Sequence, residues 1–83
     1  MIDKFNQCLK RNGYSIKYRD EIKHSECTTC KREFDIDEFI YVHSERSRFC
    51  LKCVAKRVWK RGMVRKMIQY GVTLEFILEK VNE

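Results

Sequence analysis

The pattern of apolar positions begins with a helical period. Apolar residues recur at three- and four-residue spacing between residues 2 and 12, at Ile2, Phe5 and Leu9. This spacing predicts an amphipathic helix. Gly13 is suited to the left-handed conformation that often follows a helix end. Residues 14 to 19 then alternate apolar and polar side chains, and that two-residue period predicts a half-buried strand.

The middle of the chain changes to short β-rich runs. Residues 20 to 26 are polar and predict a connecting loop or a short helical turn. Asp35 with Glu38 three residues later has the outline of a capping box, which predicts a helical turn from Ile36 to about Ile40. Residues 40 to 44 and 48 to 50 are rich in β-formers around a polar turn, and they predict a β-hairpin.

Helical spacing returns at Leu51 and continues to the end of the chain. Gly62 interrupts the apolar stripe, and the apolar positions after it lie on a rotated face, so we expect a break there. Gly71 closes this part, and Thr73 can cap a last helix. The apolar stripe of that helix consists of Leu74, Ile77, Leu78 and Val81. We expect it to dock on the cysteine-rich core, on the first helix or on a partner.

Four cysteines lie in two C-x-x-C pairs separated by 19 residues: Cys27, Cys30, Cys50 and Cys53. Two such pairs at this separation predict a four-thiolate site for one structural Zn²⁺, with no open position for a catalytic water. Two disulfides are the rival interpretation, and they would need an oxidising compartment. Cys8, the fifth cysteine, is predicted to be a small core or boundary residue rather than a ligand.

The size and composition suit one small intracellular domain. The chain has 83 residues and a net charge of +6. We expect a single zinc-binding domain in three parts: residues 1–26, the zinc loop 27–53 and the helical part 54–83. The N-terminus shows no apolar leader segment and no apolar run is long enough to cross a membrane, so we expect a cytoplasmic protein.

The positive charge is concentrated in residues 46 to 66, a window without any Asp or Glu. Its basic residues are Arg46, Arg48, Lys52, Lys56, Arg57, Lys60, Arg61, Arg65 and Lys66. On a helix, those after Leu51 cover the side away from the apolar stripe, which suits contact with phosphates. A solvated charged face is the plain alternative. Trp59 lies at the edge of this face, where we favour a core anchor over stacking on a base.

Several short fragments resemble the zinc module and linker that precede the nuclease core in phage recombination-endonuclease-like HNH proteins. The fragments are Cys27-Thr-Thr-Cys30-Lys31, Asp37-Glu38-Phe39, Arg46-Ser47-Arg48-Phe49-Cys50-Leu-Lys-Cys53-Val54 and Tyr70-Gly71-Val72-Thr73-Leu74-Glu75. The resemblance implies a treble-clef-like zinc knuckle, a β-hairpin and a helix. Together with the helices predicted at both ends of the chain, the expected fold is a small α+β zinc-binding domain with a treble-clef or zinc-ribbon-like knuckle, a β-hairpin and a helix, and with flanking N- and C-terminal helices. It also implies work on DNA in the host cytoplasm. A weaker resemblance is to small zinc-finger regulators of the DksA/TraR type.

The catalytic part of the HNH family would lie beyond residue 79. The only histidines, His24 and His43, precede or fall inside the zinc loop. We therefore expect no enzyme, but a non-catalytic zinc protein that binds nucleic acid, DNA in preference to RNA. The alternative is a phage-type interaction module that binds an acidic host protein and modulates an enzyme of the transcription or defence machinery.

Overall fold

A computed structural model describes all 83 residues and places a three-stranded antiparallel sheet among four helices. The strands are β1 (Ser15–Tyr18), β2 (Phe39–Ser44) and β3 (Ser47–Phe49). The helices are α1 (Ile2–Arg11), α2 (Leu51–Lys60), α3 (Val64–Gln69) and α4 (Leu74–Val81). A 3-10 turn, Arg19–Glu21, follows β1. None of the helices has the length and apolar character needed to span a membrane.

The sheet has the order β1-β2-β3, with β2 in the centre. β2 and β3 form the hairpin that the sequence predicts, with Tyr41 opposite Phe49. β1 adds to the free edge of β2, and its register runs from Ser15 opposite Val42 to Tyr18 opposite Phe39. The N-terminal third of the chain is thereby joined to the centre of the domain.

The core lies where the sheet meets α1, α2 and α4. All 17 buried residues are hydrophobic, and the hydroxyl of the buried Tyr41 donates a hydrogen bond of 2.9 Å to the Asn6 Oδ1. The ring of Phe5 on α1 lies 6.3 Å from that of Tyr41 on β2 and 5.7 Å from that of Phe76 on α4. α1 therefore connects the sheet to the last helix, while α4 also packs against α2.

Two helix boundaries after α2 follow the predicted glycines. Gly62 and Gly71 have φ values of 69° and 91°, a region that favours glycine. They separate α2 from α3 and end α3 before α4. Thr73 caps α4, since its Oγ1 accepts a hydrogen bond of 3.1 Å from the Phe76 N–H. The predicted break and the predicted cap are both confirmed.

The predicted helical turn from Ile36 to Ile40 is wrong. Ile36 and Asp37 form a simple turn, and β2 begins at Phe39 because that residue pairs with Tyr18 of β1. The Glu38 carboxylate does accept the Asp35 N–H at 3.0 Å. The capping hydrogen bond thus forms without a helix, since strand pairing determines the next residues.

The expectation that Trp59 anchors the core is also wrong. Its side chain is 49% exposed. Ala55 and Val58 occupy the inward side of α2 and are fully buried. One further residue along the helix rotates the side chain by about 100°, which carries Trp59 to the surface.

Candidate metal centre

The four paired cysteines meet at one place. Cys27 and Cys30 lie on a tight turn that is closed by an isolated bridge between Glu26 and Glu33. Cys50 is the N-cap of α2, and Cys53 lies in its first turn. All four sulfurs lie within 4.8 Å of one another, so sequence-distant residues form one cluster.

The spacing of the sulfurs fits a tetrahedral ion. Bonds of about 2.3 Å to zinc place tetrahedral sulfurs about 3.8 Å apart, and the Sγ atoms of Cys30 and Cys50 are 3.9 Å apart. No disulfide joins any of the five cysteines. The cluster could therefore hold one metal ion after small adjustments of side-chain torsions.

The first turn has an unusual backbone conformation at Lys31. Its N–H donates to the Cys27 carbonyl at 2.9 Å, and the Cys27 N–H donates to the Arg32 carbonyl at 2.8 Å. Lys31 has a φ of 64° and is the only residue other than glycine with a positive φ. The turn therefore uses the left-handed conformation with a lysine, at a position where glycine would carry no Cβ strain.

Thr28 joins this turn to the hairpin, a role that the sequence analysis did not identify. Its N–H and its hydroxyl both donate to the Arg48 carbonyl, at 2.9 and 2.8 Å. Its Oγ1 in turn accepts the Arg48 N–H at 3.2 Å. A hydroxyl between the two cysteines is the only sequence signal for this clamp, which connects β3 to the first pair.

The environment of the thiols differs across the cluster. Burial raises the pKa of Cys50 and of Cys53 above the ordinary thiol value. Burial also opposes ionisation of Cys27, but N–H groups of Cys30, Cys50 and Thr29 outweigh it and lower the Cys27 pKa to about 7. In the metal-free chain, Cys27 thus ionises before Cys50 and Cys53.

Charged side chains of both signs line the open side of the cluster. A concavity of about 530 Å³ beside the cysteines is lined by the cations Arg32, Lys52 and Lys56 and by the carboxylates of Glu38 and Glu83. Four thiolates around a divalent ion carry a formal charge of about −2, from the charges of the ligands and ion. In a metal-loaded cluster, the nearby cations would compensate part of that charge. Arg32 also pairs with Glu38, and its hydrogen bonds hold the pKa of that carboxyl below its usual range.

The nine basic residues of the 46–66 window do not share one environment. Arg48 and Arg57 are half-buried and the other seven are exposed. The Arg48 guanidinium donates to the carbonyls of Glu45 and Glu26, at 2.7 and 3.4 Å, so it supports the hairpin. The chain has two salt bridges, Arg32–Glu38 and Lys80–Glu83, and neither uses a residue of the window.

The remaining candidate ligands lie outside the cluster. Cys8 is fully buried on α1, and burial raises its pKa, so the prediction of a core residue is confirmed. His43 packs its ring 4.8 Å from that of Tyr14. Neither it nor His24 belongs to the group of side chains that could hold a metal.

Comparisons with protein-family models, with curated proteins and with solved structures found no match to this chain. What the chain does must therefore be inferred from the chemistry of its own residues.

Proposed function

We propose that the cysteine cluster holds one structural Zn²⁺ in a treble-clef arrangement. The order along the chain supports this, since a cysteine turn, the hairpin β2–β3 and a helix that begins at the second pair follow one another. Four thiolates at this spacing prefer zinc, and they complete its shell. The metal would connect the start of α2 to the first turn.

We propose further that the chain is a non-catalytic nucleic-acid-binding protein that prefers DNA to RNA. One observation carries this proposal: the basic side chains of residues 46 to 66 have no acidic neighbour in the window and no salt-bridge partner. Unpaired cations concentrated on one stretch favour a polyanion, because each phosphate contact releases a counterion. The resemblance to HNH-type phage modules supports DNA as the partner, in the cytoplasm of an infected cell.

The test compares two triple charge reversals in the zinc-loaded protein. The first variant carries Lys56→Glu, Arg61→Glu and Lys66→Glu. The control reverses three exposed lysines outside the window: Lys10, Lys17 and Lys23. Both variants lower the net charge from +6 to zero, since each reversal removes two charges. The comparison therefore separates the location of the charge from its total.

Fluorescence anisotropy with single- and double-stranded DNA and RNA, over a salt series, gives the readout. We expect tight binding at low salt that weakens steeply as salt rises. The first variant should lose binding while it retains its zinc content and circular-dichroism spectrum, and the control should retain most of its affinity. Equal losses in the two variants would contradict a specific basic face.

A second candidate function is protein binding, which exposed apolar side chains on α2 and α4 favour. Leu74 and Leu78 lie one turn apart on α4 and are 43% and 38% exposed, and Trp59 is half exposed on α2. Affinity capture from nuclease-treated bacterial lysate tests it, with a Leu74→Gln, Leu78→Gln variant. A stoichiometric partner that binds the parent chain and is lost in this variant would favour a modulator of a host enzyme.

A further inference from the structure

We propose that a groove beside the C-terminal end of α2 is the seat of one backbone phosphodiester group, a refinement that rests on the proposed nucleic-acid function. The groove has a volume of about 200 Å³, and it brings together Arg57, Arg61, Lys66, Asn12, Tyr14 and His43. Three of these side chains are cations and no acidic residue lines the groove. A concave cluster of cations without a counter-ion attracts an anion from outside.

Arg57 is already positioned for this task. Its Nε donates a hydrogen bond of 2.8 Å to the Tyr14 hydroxyl, and its guanidinium lies 5.0 Å from the centre of the Phe49 ring. The two terminal nitrogens have no hydrogen-bond partner within the chain. A planar guanidinium held by its Nε and by an aromatic ring can present two parallel donors to two phosphate oxygens with little loss of entropy.

Lys66 enters the groove from α3 and is also held in place. Its Nζ donates to the Asn12 Oδ1 at 3.1 Å. The Asn12 amide is itself oriented, because its Nδ2 donates to the Cys8 carbonyl at 2.7 Å. The ammonium group has further protons beyond the one given to Asn12. The turn at Gly62 therefore brings a cation of α3 next to those of α2.

The charges of the groove repel one another in the free protein. Arg57 lies on α2 and Arg61 is the C-cap of that helix four residues later, so their like charges lie close together and repel each other. Lys52 and Lys56 share their surroundings with the cysteine cluster, whose metal-bound form would be anionic. The groove cations have no such anion nearby. An external anion would thus relieve repulsion in the groove more than beside the metal.

The shape of the groove favours a phosphate that belongs to a polymer. His43, Arg61 and Lys66 are exposed, so the groove is open along its rim. A diester can enter from the side while the strand continues in both directions, and no chain end has to be threaded. The exposed ring of His43, which packs on the buried ring of Tyr14, offers a stacking surface to the adjoining sugar or base.

Two variants with matched composition test the seat. Arg61→Gln with Lys66→Gln removes an arginine and a lysine from the groove. Lys60→Gln with Arg65→Gln removes a lysine and an arginine next to them, and neither residue lines the groove. All four side chains are exposed, so both double variants should fold.

In the zinc-loaded protein, we expect the groove variant to bind an oligonucleotide about tenfold more weakly and to lose about one unit of salt slope. The neighbouring variant should change affinity by about threefold at most. Equal losses would overturn the seat while leaving the proposed function intact.

A direct probe separates the seat from the function. Inorganic phosphate and a dinucleotide are titrated separately into the protein, and the NMR signals of the Arg57 Nε–H and the Asn12 side-chain amide are followed. We expect both to shift with the dinucleotide in the parent chain, and to shift much less in the groove variant. No shift with either ligand overturns the seat. Shifts with phosphate but no binding of dinucleotide or oligonucleotide overturn the diester assignment, together with the proposed function. A competition experiment adds polyglutamate to the complex with the oligonucleotide at equal charge concentration. Displacement of the oligonucleotide would overturn the diester assignment and favour an acidic protein as the partner.

Discussion

Lys31 offers the sharpest test of the metal-site geometry, because it is an ordinary residue in a left-handed conformation. It follows the first cysteine pair, its φ is 64°, and its side chain is exposed. A change there removes no packing. Replacement by glycine and by alanine therefore isolates the backbone, since alanine keeps the Cβ that causes the strain and glycine lacks it.

The expected magnitude comes from two opposing effects. A Cβ in the left-handed region costs roughly 1–2 kcal/mol, whereas the greater freedom of glycine in the unfolded chain costs about 0.5–1 kcal/mol. The glycine variant should thus be more stable than the alanine variant by about 0.5–1 kcal/mol. If metal binding orders this turn, the zinc affinity should differ by roughly twofold to fivefold in the same direction.

Thr29 provides the control within the same turn. It is exposed and does not have a positive φ, so there alanine should be more stable than glycine. Urea unfolding of the four zinc-loaded variants and competition with a chromophoric chelator measure both quantities. An alanine variant at position 31 that exceeds the glycine variant in stability by the same margin as at position 29 would refute the left-handed turn, because the Cβ would then cost nothing.

Three further predictions concern other parts of the fold. Thr28→Val should cost about 1 kcal/mol in urea unfolding, since it removes the hydrogen bonds between the hydroxyl and the half-buried Arg48 backbone, while the N–H of residue 28 still donates to the Arg48 carbonyl; Thr29→Val should be near neutral, and equal effects would contradict the clamp. Zinc affinity should rise by at least about a hundredfold per pH unit between pH 6 and 8. Burial raises the pKa of Cys50 and Cys53, so both carry protons that zinc must displace, and a pH-independent affinity in chelator competition would exclude them as ligands. Thr73→Ala should cost about 1 kcal/mol through loss of the α4 cap, and Thr73→Ser should restore most of it; an alanine variant with parental urea stability would contradict the cap.

Local signals predicted the helices and their ends well. Gly13, Gly62 and Gly71 all take positive φ values, and Thr73 caps α4 as expected, because these preferences depend on a few neighbouring residues. The cysteine spacing likewise predicted which sulfurs meet, since a metal-ligand set follows from residue type and separation. Chemistry encoded within a short stretch was readable from the sequence.

Features that depend on distant contacts were not readable. Asp35 and Glu38 have the spacing of a capping box, which is typical of a helix start. The pairing of Phe39 with Tyr18 nevertheless makes the next residues the start of a strand. The exposure of Trp59 depends on which side of α2 meets the sheet and α4. The apolar period alone placed Trp59 at the boundary between the apolar and the basic face of the helix. The clamp of Thr28 on β3 joins residues 20 apart in sequence, and the hydroxyl in the sequence does not indicate which distant strand it will bond.

The metal and the groove, both proposals, are connected through the geometry of α2. Cys50 caps the start of this helix, and Arg57 and Arg61 lie near its other end. A ten-residue helix is a stiff rod of about 15 Å, so what holds its first turn contributes to its direction, together with the packing of Ala55 and Val58 in the core. Zinc would hold that turn to the segment that Thr28 clamps to β3, and β3 pairs with the strand that carries His43. The positions of both walls of the groove, α2 on one side and the strand with His43 on the other, would then depend on the same ion, although the ion contacts neither wall. If both proposals hold, removal of the metal should weaken binding of an anion in the groove, because one of the contacts that set the angle between the hairpin and α2 would be lost.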